Sequence, residues 1–528
     1  MEKYKIILFL CNWGAHTAYQ ALQEKGYRVP PEISMVRIPC TGRISKALLF
    51  KAFEMGADGV ALVGCKPGSC RYGVGTDSAV NFTEDTRDIL ALLGLDKDRL
   101  QLATFLPDDV DELRNFIEMF CDEIRSFGNS PMVPTLKDSA KESYVGTCAE
   151  ILAAHNAYAC QDCGKCTSSC PLALTGKQFS PRAIAGAVIA GDMNSKEITE
   201  DIWSCLTCGF CYERCPSGVN FPEFICDIRA LVKKKDDGDS HQAHGGFFQS
   251  LMRSMTSPEM TTDRWNWLPK DIKLDDNSKI LFFGGCAPYF DTFFRNHLKV
   301  RTSDVLIDSL RLMNFFDVAP AVLKNERCCG HDLLWSGDRD NFLKLARLNV
   351  AMIDEMGIEE VVTACPECYR TLALDYKRFG IEVNFKITHI YEFLEQEIDK
   401  GAVTFNKVDY LMTFQDSCRL NSFDALKDLP RKLINRISSE QFVEMKDYKD
   451  VSMCCGNCAW TGCDAYSKAM QVNRLRQARE TGSNLMVTAC PKCQIHLQCA
   501  MEDPFLGDAV KMEIMDLTSV IRKTICWE

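Results

Sequence analysis

The stretch Val-Thr-Ala-Cys-Pro-Glu-Cys at Val362–Cys368 recurs as Val-Thr-Ala-Cys-Pro-Lys-Cys at Val487–Cys493. The copy belongs to a larger one. "KILFFGGC" leads a strand into Cys286, "CCG" follows at Cys328–Gly330, "DNFLKLARLNVAMIDEMG" is helical, and the strand "EVVTAC" enters Cys365 and Cys368. In the second copy "DYLMTFQDSC" reaches Cys418, "CCG" stands at Cys454–Gly456, "YSKAMQVNRLRQARETG" is helical, and "NLMVTAC" enters Cys490 and Cys493. Equivalent cysteines are offset by 132, 126 and 125 residues (Cys418 against Cys286, Cys454 against Cys328, Cys490 against Cys365). Such a duplication restricts the C-terminal half to two α/β modules, predicted at 278–400 and 401–528. Each module brings five thiols to strand ends and helix starts. Pro366 and Pro491 suit a first helical turn, whose amides and dipole stabilise thiolates. Five thiols are one more than a tetrahedral zinc site or an ordinary cubane takes.

A second cysteine pattern precedes these modules. "CQDCGKCTSSCP" sets Cys160, Cys163, Cys166 and Cys170 before Pro171, and "CLTCGFCYERCP" sets Cys205, Cys208, Cys211 and Cys215 before Pro216. Both read C-x2-C-x2-C-x3-C-P, the two-cluster ferredoxin run, in which the fourth cysteine ligates the other cluster. That assigns Cys160, Cys163, Cys166 and Cys215 to one 4Fe–4S centre, and Cys205, Cys208, Cys211 and Cys170 to the other. Zinc is the competing reading, but tetrahedral zinc seldom uses this double run. The domain is predicted helical over 144–235. The non-periodic "GNSPMVPTLKDSAKES" lies before it, and a polar connection with short helices runs after it to about residue 278.

The N-terminal 1–128 alternates strand and helix signals: "YKIILFL", "ISMVRI", "VALVG" and "LQLATFL" as strands, "AHTAYQALQEKG", "SKALLFKAFEMGADG", "TRDILALLG" and "DVDELRNFIEMFCDEI" as helices. That is an α/β domain with a mainly parallel sheet, in which ligands gather at the C-terminal strand ends. Cys11, Cys40 and Cys65 each follow a predicted strand, and Cys70 sits in the glycine-rich loop "GCKPGSCRYGVG". Spacing alone leaves two readings, a small cluster or four buried structural thiols.

Composition narrows the function class. The chain has 528 residues, 29 of them cysteine, and a formal net charge of −11. The charge argues against a general nucleic-acid binder, and no Lys/Arg run exceeds Lys233–Lys235. "MEKYKIILFLCNWG" reads as a buried first strand rather than a signal peptide. No stretch approaches the roughly 18 apolar residues of a membrane span. Without a secretory signal the cysteines point to metal or redox chemistry in a reducing cytoplasm. Cys121, Cys148, Cys226, Cys499 and Cys526 read as packing residues; Cys458 and Cys463, after the second CCG, read as small core or surface residues, with a place lining its pocket as the alternative. His331, beside Gly330, reads as structural, with a proton donor near a cluster as the alternative.

At this point the sequence resembles a known family. The tandem "C…CCG…CPxC" modules resemble the CCG domains of the heterodisulfide reductase B subunit, and the paired ferredoxin runs resemble its C subunit. "CNWG", "RIPCTGR" and "GADGVALVGCKPGSC" resemble the delta subunit of methyl-viologen-reducing hydrogenase. The order looks like a fusion of delta, C and B. The resemblance implies one 2Fe–2S cluster at Cys11, Cys40, Cys65 and Cys70, although family members often read C-x-x-C where this chain has Cys11 and Gly14. It implies two non-cubane 4Fe–4S clusters: one at Cys286, Cys328, Cys329, Cys365 and Cys368, the other at Cys418, Cys454, Cys455, Cys490 and Cys493. It also implies an oxidoreductase subunit passing electrons through two cubanes to the paired clusters for a two-electron, disulfide-type reduction. The expected partners are a flavoprotein resembling heterodisulfide reductase A, which bifurcates electrons, and hydrogenase, formate dehydrogenase or other oxidoreductase subunits. No GxGxxG follows a strand here, so the flavin is expected on another chain. The alternative function is a non-catalytic electron relay for a partner dehydrogenase or a quinone-linked enzyme.

Overall fold

In the computed structural model, residues 4–132, 146–235, 241–262, 264–401 and 403–527 are described. Parts of both predicted connections, residues 133–145 and 236–240, lie outside them, as does the predicted start of the ferredoxin domain at 144. The chain divides into two units: residues 1–141 with 244–266, and 142–243 with 267–528. It is a multidomain α/β protein built on parallel sheets.

The first unit is a parallel four-stranded sheet of order β2-β1-β3-β4, with β1 Ile6–Cys11, β2 Ile33–Ile38, β3 Gly59–Cys65 and β4 Leu100–Phe105. Every residue of β3 is buried, as a central strand covered on both faces requires. The helix predicted at "TRDILALLG" starts earlier than expected and spans Gly75–Leu92. Its first residue explains why the start was hidden. A Cβ at Gly75 would stand 2.6 Å from Cys40 Sγ and 2.8 Å from Cys70 Sγ, so glycine is required where loop composition was read.

The connection after the ferredoxin domain holds a further element of this unit. The helix Phe247–Ser254 packs on the helix Lys46–Glu54, with the Phe50 and Phe247 rings edge to face at 5.3 Å. Beneath them Arg253 Nε donates to Glu54 Oε1 at 2.5 Å, and Ser250 also bonds the Glu54 carboxylate. Burial alone would raise the Glu54 pKa, but Arg253 and Lys51 outweigh it and hold the carboxyl below its usual value. Arg253→Met should therefore cost about 3 kcal/mol of this unit's stability, since it strips a buried carboxylate of its main partner. Differential scanning calorimetry of the full chain checks this, and an unchanged transition would refute the pairing's role. Because Glu54 is held ionised in the fold, its contribution should be present above the ordinary carboxylate pKa and fade as pH falls through the lowered value.

The second unit opens with helices, among them Cys148–Ala154, Pro181–Ile189 and the longer Phe221–Lys235. Two three-stranded parallel sheets follow. β5 Ile280–Phe283, β6 Glu360–Thr363 and β7 Lys386–His389 pair in the order β5-β6-β7, and β8 Met412–Phe414, β9 Leu485–Thr488 and β10 Glu513–Asp516 pair as β10-β9-β8. In each sheet the middle strand runs into a helix that begins at proline, Pro366 or Pro491, with Cys365 or Cys490 as its cap. The glycine of each "CCG" has positive φ, 88° at Gly330 and 98° at Gly456. A side chain there would also strike a neighbouring helix: Phe342 of Arg339–Glu355 at 2.9 Å in one copy and the Ser467 carbonyl of Ala465–Glu480 at 2.8 Å in the other. The third letter of the motif is thus a packing requirement repeated with the fold.

Candidate metal centres

In the first unit the predicted sheet edge does gather the four thiols. Cys11 ends β1, Cys65 ends β3, and Cys40 follows β2. Cys11 Sγ lies 3.5 Å from Cys65 Sγ, and Cys40 Sγ lies 3.9 Å from Cys70 Sγ. Burial pushes the Cys65 thiol up to about 12 and raises that of Cys40. Gly14 has a steric reason of its own. A Cβ there would approach the Phe105 carbonyl to 2.7 Å and Cys65 Sγ to 3.3 Å, so this sheet edge has no room for a second cysteine in "CNWG".

In the ferredoxin region Cys170, Cys205, Cys208 and Cys211 line one small cavity, together with Pro171, Phe179 and Phe221. The fourth cysteine of the first run therefore lines the same cavity as the first three of the second. Cys166 and Cys160 are neighbours in turn. Burial drives the thiols of Cys205 and Cys208 up to about 12.

In the first C-terminal module Cys286, Cys328, Cys329, Cys365 and Cys368 surround one cavity, with Cys286 Sγ 3.1 Å from Cys328 Sγ and Cys368 Sγ 3.5 Å from Cys329 Sγ. In the second, Cys418, Cys454, Cys455, Cys490 and Cys493 are linked as neighbours, and Cys455 Sγ is 3.2 Å from His496 Nδ1. The thiols of Cys328, Cys329, Cys368, Cys418 and Cys493 are pushed well above normal, first by neighbouring sulfurs and then by burial. Clustered sulfurs that resist ionising alone are the donor set a cation stabilises as thiolates, and soft thiolates suit iron–sulfur clusters.

The heptapeptides differ at one residue, and that residue joins the modules. Lys492 Nζ lies 2.7 Å from Glu367 Oε2 and also pairs with Asp332. Burial alone would lower the lysine, but the two carboxylates hold it well above its usual value. His331 completes the group, its Nδ1 3.0 Å from Asp332 Oδ1 and its Nε2 accepting from Arg419 Nε at 3.2 Å. Burial, ahead of all other influences, pushes His331 down, and it is held as a neutral ring between an acceptor and a donor. His331, Asp332 and Glu367 are near enough to hold a metal ion, but the Lys492 ammonium already bridges the two carboxylates.

Arg419 reaches further. It donates to the Thr207 carbonyl at 3.1 Å, to Thr207 Oγ1 at 2.9 Å and to Cys458 Sγ at 3.4 Å, and it covers the Trp335 ring. It thereby ties the loop of Cys205–Cys208 to both modules. Cys208 is in turn an electrostatic neighbour of Cys418 and Cys454. Cys458 is buried against Thr207 and Arg419, whereas Cys463 is exposed. Cys121 and Cys226 are buried packing residues; Cys148 meets Met193, Cys499 meets Lys468, and Cys526 meets Asn406. Asp332, Glu367, Arg419 and Lys492 were not singled out from the sequence, although the Glu-to-Lys change within the repeat was in plain view.

Donor sets of this kind are those of an iron–sulfur protein. Its parts match known families. Residues 6–128 match the methyl-viologen-reducing hydrogenase delta subunit, 156–219 a 4Fe–4S dicluster domain, and 280–373 and 412–498 the cysteine-rich CCG domain. The chain is 28% identical to the D subunit of the dihydromethanophenazine:CoB–CoM heterodisulfide reductase of Methanosarcina barkeri, over 68% of this chain and 93% of that one. It is 27% identical to the B subunit of the CoM/CoB fumarate reductase of Methanothermobacter marburgensis (68% and 71% covered), and 24% identical to the EtfAB:quinone oxidoreductase of Syntrophomonas wolfei (69% and 58%). Its regions thus resemble, in order, a hydrogenase delta-subunit domain, a dicluster domain and paired CCG domains, and a heterodisulfide reductase subunit is among its relatives. These matches make the chain an iron–sulfur electron-transfer oxidoreductase subunit, and the naming of the relatives as subunits implies a complex with other chains. Among the described residues no helix is long and apolar enough to cross a membrane.

Proposed function

We propose that this chain reduces a disulfide-type substrate by two electrons within a complex that includes a flavin-bearing, electron-bifurcating subunit. In this reading Cys11, Cys40, Cys65 and Cys70 hold a 2Fe–2S cluster, the two crossed ferredoxin sets hold cubanes, and each five-cysteine set holds a non-cubane 4Fe–4S cluster. The observation that carries it is the joining of the two CCG sets across Glu367 and Lys492, with Cys208 of the dicluster domain beside the second set. Each cluster, when bound, carries electrons one at a time, whereas cleaving a disulfide takes two. Two thiolate-lined sites in contact meet that demand. The protein's own part is to bury both sets, hold them in register through Lys492, and fix the dicluster loop against them through Arg419. Partner hydrogenase, formate dehydrogenase or other oxidoreductase subunits would supply the electrons.

Anaerobically purified chain should contain about 18 irons, two for the 2Fe–2S site and four for each of four others, with negligible zinc. Iron and sulfide analysis near 8, unchanged by substitutions in the first unit and the CCG sets, would leave only the dicluster domain loaded and sink the reading. Native purification should recover a flavoprotein with the chain. Full loading of clusters without any disulfide reduction by that complex would favour a pure electron relay.

A further inference from the structure

We infer that the two CCG sites are cross-wired, each having its reduction potential set by a buried charge contributed from the other site's C-P-x-C loop. The inference rests on the reading that both five-cysteine sets hold iron–sulfur clusters. Its starting point is the single charged difference between the repeats. Glu367 stands between Cys365 and Cys368 of the first set and lines that set's cavity, yet its carboxylate also reaches across the junction: it pairs with Lys492 of the second module at 2.7 Å, and its charge bears on Cys418, Cys490 and Cys458. Lys492 stands between Cys490 and Cys493 of the second set. Its side chain lines the first set's cavity, beside Cys365, Cys368 and Asp332. Both are well buried, with 6% exposure for the Lys492 side chain and 13% for that of Glu367.

Fixed charges act strongly there because little water screens them. Adding an electron makes a site more negative, so a nearby carboxylate lowers its potential and a nearby ammonium raises it. Glu367 therefore holds the second site's potential down, and Lys492 holds the first site's up. Other charges frame the exchange without reversing it. Asp332 shares Lys492, Arg419 faces Cys418, and the buried Glu326 carboxylate, accepting from the amides of Gly284 and Gly285, stands near Cys286. The duplication thus gives two sites of like ligands, each tuned by the other's loop and neither adjustable alone.

Potentiometric EPR titration of the anaerobically purified full chain, with dithionite as reductant, tests this without any turnover measurement. Cys365→Ser and Cys490→Ser assign the signals to the first and second sites. Glu367→Gln should raise the midpoint of the second site, and Lys492→Gln should lower that of the first. Lys492→Gln leaves Asp332 and Glu367 facing each other and is the variant at risk of misfolding. The double exchange Glu367→Lys with Lys492→Glu keeps the pair and the net charge, and should shift both midpoints in those same directions. Midpoints that move only at the substituted loop's own site, or at neither site, overturn the inference while leaving the clusters in place. Native chain without signals from the CCG sites overturns the cluster reading and this inference with it.

Discussion

Serine at position 170 should remove the centre built by Cys205, Cys208 and Cys211 and spare the one built by Cys160, Cys163 and Cys166. By spacing, Cys170 belongs to the first run. In the fold it lines a cavity with the three cysteines of the second. Its side chain is deeply buried, and serine there offers a poor, reluctantly ionised ligand in an apolar wall that includes Phe179 and Phe221. Loss of about four irons and one of the two cubane EPR signals is the expected outcome. The functional effect should be larger than the loss of one carrier among five. Cys208 is the dicluster cysteine beside Cys418 and Cys454, so the lost centre is the one next to the CCG pair. Dye-driven reduction of the CCG sites should fall to background in Cys170→Ser, while reduction of the remaining cubane persists. Cys215→Ser should show the complementary loss. If Cys170→Ser instead abolishes the Cys160–Cys166 signal, each run ligates its own cluster and the crossed assignment fails.

Much of this arrangement was legible before any fold was known, for a physical reason. Metal sites at strand ends and helix starts leave their ligands at fixed offsets, and a duplicated module repeats those offsets together with its strands. Cys286, Cys328 and Cys365 could therefore be aligned with Cys418, Cys454 and Cys490 from spacing alone, and the structure brings each group together. Three features escaped because they depend on contacts distant in sequence. The helix Phe247–Ser254 looked like part of a connection, because nothing local shows that Arg253 meets Glu54 some 200 residues away. The start of the helix at Gly75 was masked by glycine, whose absent side chain makes room for Cys40 and Cys70. The Glu367–Lys492 pair was visible as two letters, but its meaning required the modules to meet. Arg419 gave no signal at all. A buried guanidinium between Thr207, His331 and Cys458 reads in sequence as one more arginine after a cysteine.

Loss of either CCG site should abolish two-electron reduction. Cys365 and Cys490 hold matching places, each capping the helix that starts at Pro366 or Pro491, and they are electrostatic neighbours across the junction of the modules. Cys365→Ser and Cys490→Ser should each empty one five-cysteine site and leave the dicluster domain loaded, because neither residue belongs to its cavity. A substrate whose bond breaks only when two electrons arrive gains little from one intact site, so each single substitution should reduce turnover by at least about a thousandfold, as when residues act as one unit. The double substitution should then be no worse than either single one. An ordinary relay behaves differently, since a site off the electron path can be emptied with little effect, and independent sites on the path add their losses. Turnover is measured in the purified complex with each site's EPR signal followed alongside, and dye-mediated reduction of the cubanes serves as the control for intact folding. Near-normal disulfide reduction by one single mutant, with its CCG signal absent and its cubanes reducible, would show that the two sites do not act together and would return this chain to the role of a carrier.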